Sequence, residues 1–294
     1  MSEQTRFGAT STAEEVTEGL DLTGTTWLVT GCNSGLGHET ARVLALRGGR
    51  IVGLARTAEK AAAAFAGLGI DGDPVACELS DLASVRRAVQ AVRGLAPLDG
   101  IIANAGIMAL PELTQVHGYE AQFFTNHVGH FALVTGLLDR LTDAGRIVIL
   151  SSAAQRFATR GLELDNLSGE DNYEPWRAYG RSKVANVLFA NALATRLGRS
   201  DQTANSVHPG VIETNLGRHI ADRAAMYDRL RPMMKSLAAG AATQVYVATH
   251  PDLAGVSGRY FSDCAEAEPH EAALESALGE ELWARTEAIV AALG

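Results

Sequence analysis

Short runs of aliphatic and β-branched residues alternate along the chain with longer segments whose apolar residues recur at helical spacing. The short runs predict strands at residues 26–30, 50–54, 75–79, 100–103, 146–150, 205–207 and 259–261. The intervening segments, such as ETARVLALR and LASVRRAVQAVRGL, predict helices. Strands and helices in this alternation are typical of a parallel sheet with helices on both faces. The pattern therefore predicts an α/β fold whose doubly wound parallel sheet has about seven strands.

The chain has the size and apolar content of one large domain. Its 294 residues are 47% hydrophobic, which is enough for one sizeable core and near the upper limit for a single domain. Within residues 1–20, the sequence STAEE offers two overlapping capping boxes, Ser11 to Glu14 and Thr12 to Glu15, for one short helix. We therefore expect an N-terminal extension over residues 1–20 and a single domain over residues 21–294.

Charge and cysteine content favour a small-molecule ligand. With 34 acidic and 25 basic residues, the net charge of -9 is spread without a long basic run, which argues against nucleic acid or an anionic membrane as partner. Cys32, Cys77 and Cys264 are far apart and lack metal-ligand spacing, so we expect free thiols and no metal site. The polar N-terminus and the lack of an apolar run of about 20 residues predict a soluble, cytoplasmic protein.

A glycine-rich turn follows the first predicted strand and opens the first long helix. Its sequence is TGCNSGLG, over residues 30–37. In an open parallel sheet, such glycines let the backbone approach a pyrophosphate, and the helix N-terminus supplies free N–H groups. The alternative is a turn without a ligand, but the position between strand and helix favours a dinucleotide. The candidate contacts are Gly31, Asn33, Ser34, Gly35, Leu36 and Gly37.

Tyr179 and Lys183 lie four residues apart in YGRSK, within a segment whose apolar spacing predicts one helix, AYGRSKVANVLFANALATRL. Residues at i and i+4 share a helix face, so the two side chains should project together. A nearby ammonium favours the phenolate and lowers the pKa of a tyrosine, which is near 10 in a free phenol. Lysine is scarce in this chain, which has only Lys60, Lys183 and Lys235. The alternative is an exposed surface pair.

These segments, in this order, resemble the short-chain dehydrogenase/reductase family. The turn matches the family pattern T-G-x-x-x-G-x-G, and ANAG (103–106), NHVG (126–129), the serines at 151–152, YGRSK (179–183) and HPGVIET (208–214) follow in sequence. NHVGHF and SVHPG look more specifically like the branch that contains retinol dehydrogenases and the WW-domain oxidoreductase. The resemblance implies a Rossmann-like fold, a nicotinamide dinucleotide and hydride transfer. It adds Asn104, Ala105, Gly106, Pro209, Gly210, Ile212 and Thr214 as candidate cofactor contacts.

The resemblance also implies roles for four catalytic residues. Tyr179 would exchange a proton with the substrate oxygen, Ser152 would hold that oxygen, and Lys183 would also bind the nicotinamide ribose. Asn126 would bind a water that links Lys183 to solvent. Alternation along RIVILSS favours Ser152 over Ser151. We expect His127, His130 and His208 to be structural.

The end of the second strand should select the dinucleotide. An acidic residue there would bind both adenosine ribose hydroxyls, whereas an arginine would pair with a 2′-phosphate. The sequence has Ala55 at the expected acidic position and Arg56 after it, so NADP(H) is favoured over NAD(H). Glu78 and Leu79 resemble the family's adenine-contacting Asp-Leu pair, with a longer acid in the first position.

The segment at about residues 214–240 lies where the family carries its substrate lid. Its methionines and leucines predict an adaptable wall for a hydrophobic alcohol, ketone or aldehyde, although a plain packed helix fits the pattern equally well. These residues are Met226, Leu230, Met233, Met234 and Leu237. Candidate rim residues in the segment between Ser152 and Tyr179 are Phe157, Tyr173 and Trp176.

The sequence as a whole predicts an NADP(H)-dependent oxidoreductase of the alcohol dehydrogenase or carbonyl reductase type. A non-catalytic dinucleotide-binding redox sensor and a carbon–carbon double-bond reductase on the same fold are the alternatives. The family commonly pairs two helices across a dimer axis, and residues 187–194 are apolar enough for that contact, although they could instead face the sheet. We therefore expect a homo-oligomer, either dimer or tetramer.

Overall fold

A parallel sheet forms the centre of the computed structural model, which describes residues 7–198 and 200–293. In these residues the main sheet has eight strands, β1 (Thr26–Thr30), β2 (Arg50–Ala55), β3 (Gly72–Ala76), β4 (Leu98–Ala103), β7 (Leu141–Leu150), β8 (Thr203–His208), β9 (Tyr260–Ser262) and β10 (Ala265–Glu266). Their order in the sheet is β10-β9-β8-β7-β4-β1-β2-β3, and β10 is the antiparallel strand. A separate hairpin joins β5 (Gln115–Val116) to β6 (Tyr119–Glu120). The predicted α/β fold is confirmed, with one more sheet strand than expected.

The strand predicted at residues 75–79 is present but displaced, because it runs from Gly72 to Ala76. Pro74 lies inside it, paired with Gly53 of β2. Proline is tolerated here because β3 is an edge strand, and a proline on the solvent side of an edge costs no ladder hydrogen bond.

Helices cover both faces of the sheet. They are α1 (Ala13–Val16), α2 (Gly35–Leu46), α3 (Ala58–Leu68), α4 (Leu82–Arg93), α5 (Ala121–Phe123), α6 (Gly129–Thr135), α7 (Pro175–Leu197), α8 (Arg223–Leu230), α9 (Leu237–Thr249) and α10 (Ser276–Ala292). Consecutive residues of β1 enter different cores: Leu28 belongs to the same core cluster as Phe189 of α7, and Val29 to the same cluster as Val245 of α9. This alternation is the expected result of the pleat.

The short helix α1 is closed by the predicted capping box. Thr12 accepts from the amide of Glu15, and the Glu15 carboxylate accepts from the amide of Thr12 at 2.7 Å. Ala13 and Val16 are buried in the same core cluster as Tyr246 of α9. The predicted helix of the extension is therefore present and packs on the sheet domain.

Helix α7 is buried around most of its circumference. The Glu174 carboxylate caps its N-terminus by accepting from the amides of Trp176 and Arg177. Within residues 187–194, Leu188 and Phe189 are buried in a single chain, where α10 packs against α7. The segment considered for a dimer contact is thus covered by the chain's own last helix, and the oligomer stays a prediction.

Candidate active site

The turn between β1 and α2 brings free backbone amides to the carboxyl edge of the sheet. Gly31 has a φ of 71°, a left-handed value that favours glycine, and its amide donates to Leu54 O at 2.7 Å. A Cβ on Gly37 would lie 2.4 Å from the Gly31 carbonyl oxygen, so this position also requires glycine. Ser34, the N-cap of α2, makes no side-chain capping bond, and the first turn of α2 has no acidic residue. The N-terminus of α2 can therefore receive an anionic group.

A cavity of about 500 Å³ follows this edge of the sheet. This volume falls within the range of roughly 300–1,000 Å³ that is usual for small-molecule sites. Most of the predicted site residues line it, namely Gly31, Asn33, Ser34, Gly35, Leu36, Arg56, Glu78, Leu79, Asn104, Ala105, Gly106, Tyr179, Lys183, Pro209 and Thr214. The structure thus brings the predicted dinucleotide and catalytic segments together.

The other predicted residues lie behind or beside this wall. Gly37 packs against the backbone of the glycine-rich turn. Asn126 lies behind the loop that follows β4, since a Cβ on Gly106 would be 3.0 Å from Asn126 Oδ1. Ile212 packs on Gly240, where a Cβ would be 2.5 Å from Ile212 Cγ1. Gly210 faces a second cavity. Ser152 follows Ser151, which does line the first cavity.

Burial dominates the environment of Tyr179. Its side chain is almost fully buried, and burial raises the pKa of its phenol, while hydrogen bonding with Ser152 acts in the opposite direction. The lowered pKa expected for Tyr179 is therefore not found, because burial is the dominant cause of its shift. Tyr179 keeps its proton at neutral pH.

Lys183 lies on the same side of α7 as Tyr179. Its Nζ is 5.4 Å from the centroid of the Tyr179 ring and donates to Leu150 O at 3.1 Å. Burial lowers the pKa of Lys183 to about 8, so the ammonium form still predominates at neutral pH. The exposed surface pair considered as the alternative does not form, because both side chains are buried.

The two neighbouring serines have different surroundings. Ser151 is buried, and its hydroxyl donates to Lys183 O at 2.8 Å, within the protein. Ser152 is half-buried, accepts from the amide of Ala154 at 3.1 Å, and lies close enough to Tyr179 to lower the pKa of its phenol. Ser152 is therefore the serine that adjoins the phenol.

Asn126 lies in a π-helical turn, Phe124–Val128. Its Oδ1 accepts from Ile107 N at 2.9 Å, and its Nδ2 donates to Ile107 O at 2.9 Å and to Ser182 Oγ at 3.0 Å. These bonds use both amide hydrogens of the side chain on protein groups. A water relay at this residue would therefore rely on the backbone carbonyl, which already accepts from His130 Nδ1 at 3.0 Å.

Two cavity residues have roles that the sequence did not reveal. The Thr30 hydroxyl accepts from the amides of Asn104 and Ala105, each at 2.9 Å, and so fixes the loop after β4. The position of Thr30 at the start of the glycine-rich pattern was the sequence signal that could have indicated this role. Arg218 borders the cavity from the segment that follows Thr214, and nothing in the sequence separates it from the other arginines nearby.

Arg56 follows the last residue of β2, Ala55, and borders the cavity with an exposed side chain. Glu78 also borders it, and its Oε1 accepts from Ser80 N at 3.2 Å and from Ser80 Oγ at 2.9 Å. Ser80 thus holds one carboxylate oxygen of Glu78 and leaves the other for the predicted adenine contact.

The predicted lid is not one helix. It consists of a 3-10 helix at Asn215–His219, then α8, then a second 3-10 helix at Arg231–Met233. Met233 is 58% exposed and Leu237 is 37% exposed, whereas Met234 forms a β-bridge with Val211. Part of the predicted apolar wall of the lid is therefore exposed to solvent, and the end of the lid pairs with the turn after β8.

Two of the three predicted rim residues form an aromatic pair. The ring centroids of Phe157 and Trp176 are 5.7 Å apart, and that of Trp176 is 6.3 Å from Tyr179. Tyr173 instead donates its hydroxyl hydrogen to Leu110 O at 2.7 Å, which ties it to the loop after β4. Phe157 and Trp176 therefore lead from the surface towards Tyr179.

The three histidines have internal partners, as expected of structural residues. His208 Nδ1 accepts from Ala153 N at 3.1 Å, and burial lowers the pKa of His208 to about 4. His127 contacts Thr286 Oγ1 through Nε2 at 3.0 Å, and His130 contacts Thr30 Oγ1 at 3.0 Å.

In the described part of the chain, the cysteines are free and buried, and no group of His, Cys, Asp or Glu is suited to a metal ion. Over the same residues, no helix has the length and apolar character needed to span a membrane.

Comparison with known proteins gives consistent matches. The family model for short chain dehydrogenases matches residues 25–225. A chloroplastic short-chain dehydrogenase of Brassica napus is 40% identical over 94% of this chain and 92% of its own length. A WW domain-containing oxidoreductase of Drosophila melanogaster is 36% identical over 98% of this chain and 74% of its own. Retinol dehydrogenase 14 of Mus musculus is 37% identical over 92% and 87%.

Solved structures agree with the sequence matches. An uncharacterised protein from Mycobacterium Paratuberculosis is 30% identical with a TM-score of 0.75, covering 94% of this chain and 96% of its own. A short chain dehydrogenase from Burkholderia cenocepacia in complex with NADP is 26% identical with a TM-score of 0.67, covering 82% and 97%. The chain therefore belongs to the short-chain dehydrogenase/reductase family of oxidoreductases, in the branch that includes WW domain-containing oxidoreductases and retinol dehydrogenases.

Proposed function

We propose that the protein interconverts an alcohol and its carbonyl compound by hydride exchange with NADP(H). The observation that carries this proposal is the convergence of Tyr179, Ser152 and Lys183 beside the cavity at the carboxyl edge of the sheet. A buried phenol beside a half-buried hydroxyl can hold and protonate a carbonyl oxygen.

The residues around the cavity fit a nicotinamide dinucleotide. The N-terminus of α2 would hold the pyrophosphate, because its amides and the Ser34 hydroxyl are not used for capping. Thr214 would hold the carboxamide, and Lys183 the nicotinamide ribose, beside the backbone of Asn104 to Gly106. The bound dinucleotide would supply or accept the hydride.

The protonated form of Tyr179 suits the role of general acid when a carbonyl is reduced. Because burial raises its pKa, the phenol is protonated at neutral pH, which is the state needed to donate a proton to the oxygen of a carbonyl being reduced. Ser152 would orient that oxygen. The Lys183 ammonium would stabilise the phenolate that forms when Tyr179 gives up its proton.

The preference for NADP(H) over NAD(H) rests on charge at the end of β2. Ala55 offers no carboxylate to repel a 2′-phosphate, and Arg56 offers a cation beside the cavity. Two related structures of 26% and 27% identity are described as complexes with NADP and NADPH, respectively. These features support NADP(H) as the cofactor.

A hydrophobic substrate is supported by the apolar side chains around Tyr179. Phe157 is 40% exposed, its ring centroid lies 5.7 Å from that of Trp176, and the Trp176 centroid lies 6.3 Å from that of Tyr179. An apolar alcohol, ketone or aldehyde would pack against these side chains.

A cytoplasmic location of the protein is also part of the proposal, since one relative is named as chloroplastic.

A substrate panel tests the proposal. Carbonyls with NADPH and alcohols with NADP⁺ are screened by dinucleotide absorbance, using the full chain, Tyr179→Phe and Tyr119→Phe. Tyr119 is a matched control because it stacks on Phe124 and does not line the cavity. We expect turnover in the wild type and Tyr119→Phe, and a loss of at least 100-fold in Tyr179→Phe, since general acid catalysis contributes about 10²–10⁴-fold. Turnover retained in Tyr179→Phe would exclude the mechanism.

The same panel separates the two alternatives. Reduction of an enone at its carbon–carbon bond, with no reaction of the matching saturated ketone, would identify a double-bond reductase. Dinucleotide binding without turnover of any substrate would favour a redox sensor.

A further inference from the structure

Two arginines border one cavity without a carboxylate partner. Arg56 follows β2, and Arg218 belongs to the 3-10 helix Asn215–His219. Among the described residues, Arg218 has one hydrogen bond, from Nη1 to Asn215 O at 3.1 Å, and neither guanidinium forms an ion pair. Arginines elsewhere in the lid differ, since Arg231 pairs with Asp228 at 2.5 Å. The two cavity arginines are therefore available to an external anion.

The glycine-rich turn lies between the two segments that carry these arginines. On one side, the amides of Gly31 and Cys32 donate to Leu54 O at 2.7 and 3.3 Å, which holds the turn against the end of β2. On the other side, a Cβ on Gly35 would lie 3.5 Å from Thr214 Cβ, so the start of the 3-10 helix contacts the turn. Arg56 and Arg218 thus approach the adenosine end of the predicted dinucleotide site from opposite sides.

The electrostatics agree with this arrangement. The pKa of Arg218 is lowered mainly by burial and to a smaller extent by the positive charge of Arg56. The positive charges of these two guanidinium groups repel each other, and an anion bound between them would offset this repulsion. The net charge of the chain is -9, so this local excess of positive charge does not reflect a generally basic surface.

We propose that Arg218 is a second ligand of the adenosine 2′-phosphate and holds it together with Arg56. This inference rests on the proposed NADP(H) dependence. A guanidinium binds a phosphate through paired N–H donors, and a phosphate dianion can accept from both arginines. Because Arg218 lies at the start of the lid, its contact with the 2′-phosphate also holds this end of the lid against the dinucleotide. The specificity for NADP(H) and the position of the lid are thereby linked.

Direct binding measurements test this assignment without turnover. Dissociation constants for NADPH and NADH are measured from the change in dinucleotide fluorescence, and those for 2′,5′-ADP by calorimetry. The variants are Arg218→Ala, Arg218→Lys, Arg56→Ala and the double variant, with Arg231→Ala as an ion-paired lid control. We expect Arg218→Ala to weaken NADPH and 2′,5′-ADP roughly 10- to 100-fold, the range for a charge-assisted hydrogen bond, and to leave NADH unchanged.

Each outcome is decisive. Equal weakening of NADPH and NADH would place Arg218 on another part of the dinucleotide and overturn the assignment, as would unchanged binding of both. Losses in the double variant that fall short of the two single losses combined would support a shared phosphate. Unchanged NADH affinity shows that a variant is folded. A wild-type protein that binds NADH as tightly as NADPH would instead refute the proposed cofactor preference, while hydride transfer could still be observed with NADH.

Discussion

Lys183 occupies an environment that disfavours its own charge. Its ammonium is buried, and Nζ has Leu150 O as its hydrogen-bond acceptor at 3.1 Å. Because the pKa of Lys183 falls to about 8 in the folded chain, burial of the charged form costs stability at neutral pH. A residue required for chemistry can therefore be a local source of instability.

We expect Lys183→Met to be more stable than the wild type at pH 7, by on the order of 2–3 kcal/mol. Leu150 O keeps a partner in this variant, since Asn186 Nδ2 donates to it at 2.9 Å. The folded pKa lies below the unfolded value of about 10.4, so the cost is complete below pH 8 and disappears as pH rises through this window.

Chemical denaturation of both proteins from pH 6 to pH 10.5 measures this difference. The advantage of the variant should be largest below pH 8 and should vanish near pH 10.5. Turnover should be lost throughout. A variant less stable than the wild type at pH 7 would show that the ammonium is compensated by groups other than Leu150 O.

Residues with local sequence signals were predictable at this site. Gly31 and Gly37 belong to one short pattern, and Tyr179 and Lys183 lie on one helix face. The raised pKa of Tyr179 was not predictable, because desolvation depends on the elements that pack around α7. Sequence spacing fixes which side chains project together, whereas burial decides their protonation.

Segments with long periodic patterns were also predictable, and short or tightly constrained ones were not. The α7 pattern extends over six turns of helix and survives in the fold, whereas β10 and the β5–β6 hairpin have strands of two residues, too short to show alternation. The edge strand β3 begins three residues before its predicted start, because an edge position tolerates Pro74. Tertiary pairing decides such elements.

The end of the lid is anchored by the third lysine of the chain. The stem of Lys235 covers Gly210, where a Cβ would be 2.7 Å from Lys235 Cδ, and its amide donates to Val211 O at 2.8 Å. Its Nζ lies 2.5 Å from Asp263 Oδ1 in the turn between β9 and β10. Packing and charge thus both join the lid to the turn that carries Pro209.

We expect the packing to matter more than the ion pair, because Asp263 is about half exposed. Lys235→Met keeps most of the stem and should cost less than about 1 kcal/mol of unfolding free energy, whereas Lys235→Ala should cost about 1–2 kcal/mol. Urea unfolding of both variants, with Lys60→Ala at an exposed position of α3 as control, measures these costs. Equal losses in Met and Ala variants would show that the ion pair dominates.

At the scale of the whole molecule, α10 closes the face of α7 that looked suited to an oligomer. Trp283 of α10 contacts Phe131 and Phe189, with ring centroids 4.8 and 5.8 Å apart, and the Arg196 guanidinium lies 3.8 Å from the Trp283 ring centroid. Leu282 and Ile289 of α10 are also buried. An intramolecular helix therefore packs on this part of α7.

A chain that ends at Glu275 tests this arrangement, because it uncovers Leu188 and Phe189. Removal of the apolar contacts of Trp283 alone should cost about 3–5 kcal/mol, the usual range for a buried tryptophan replaced by alanine. We expect the truncated chain to melt at a lower temperature and to self-associate in light scattering, since a newly exposed apolar patch drives association. Glu280→Ala, which removes only the exposed ion pair with Arg196 at 2.7 Å, should leave mass and melting temperature unchanged. A truncated chain with the mass and stability of the full chain would show that α10 does not protect this face.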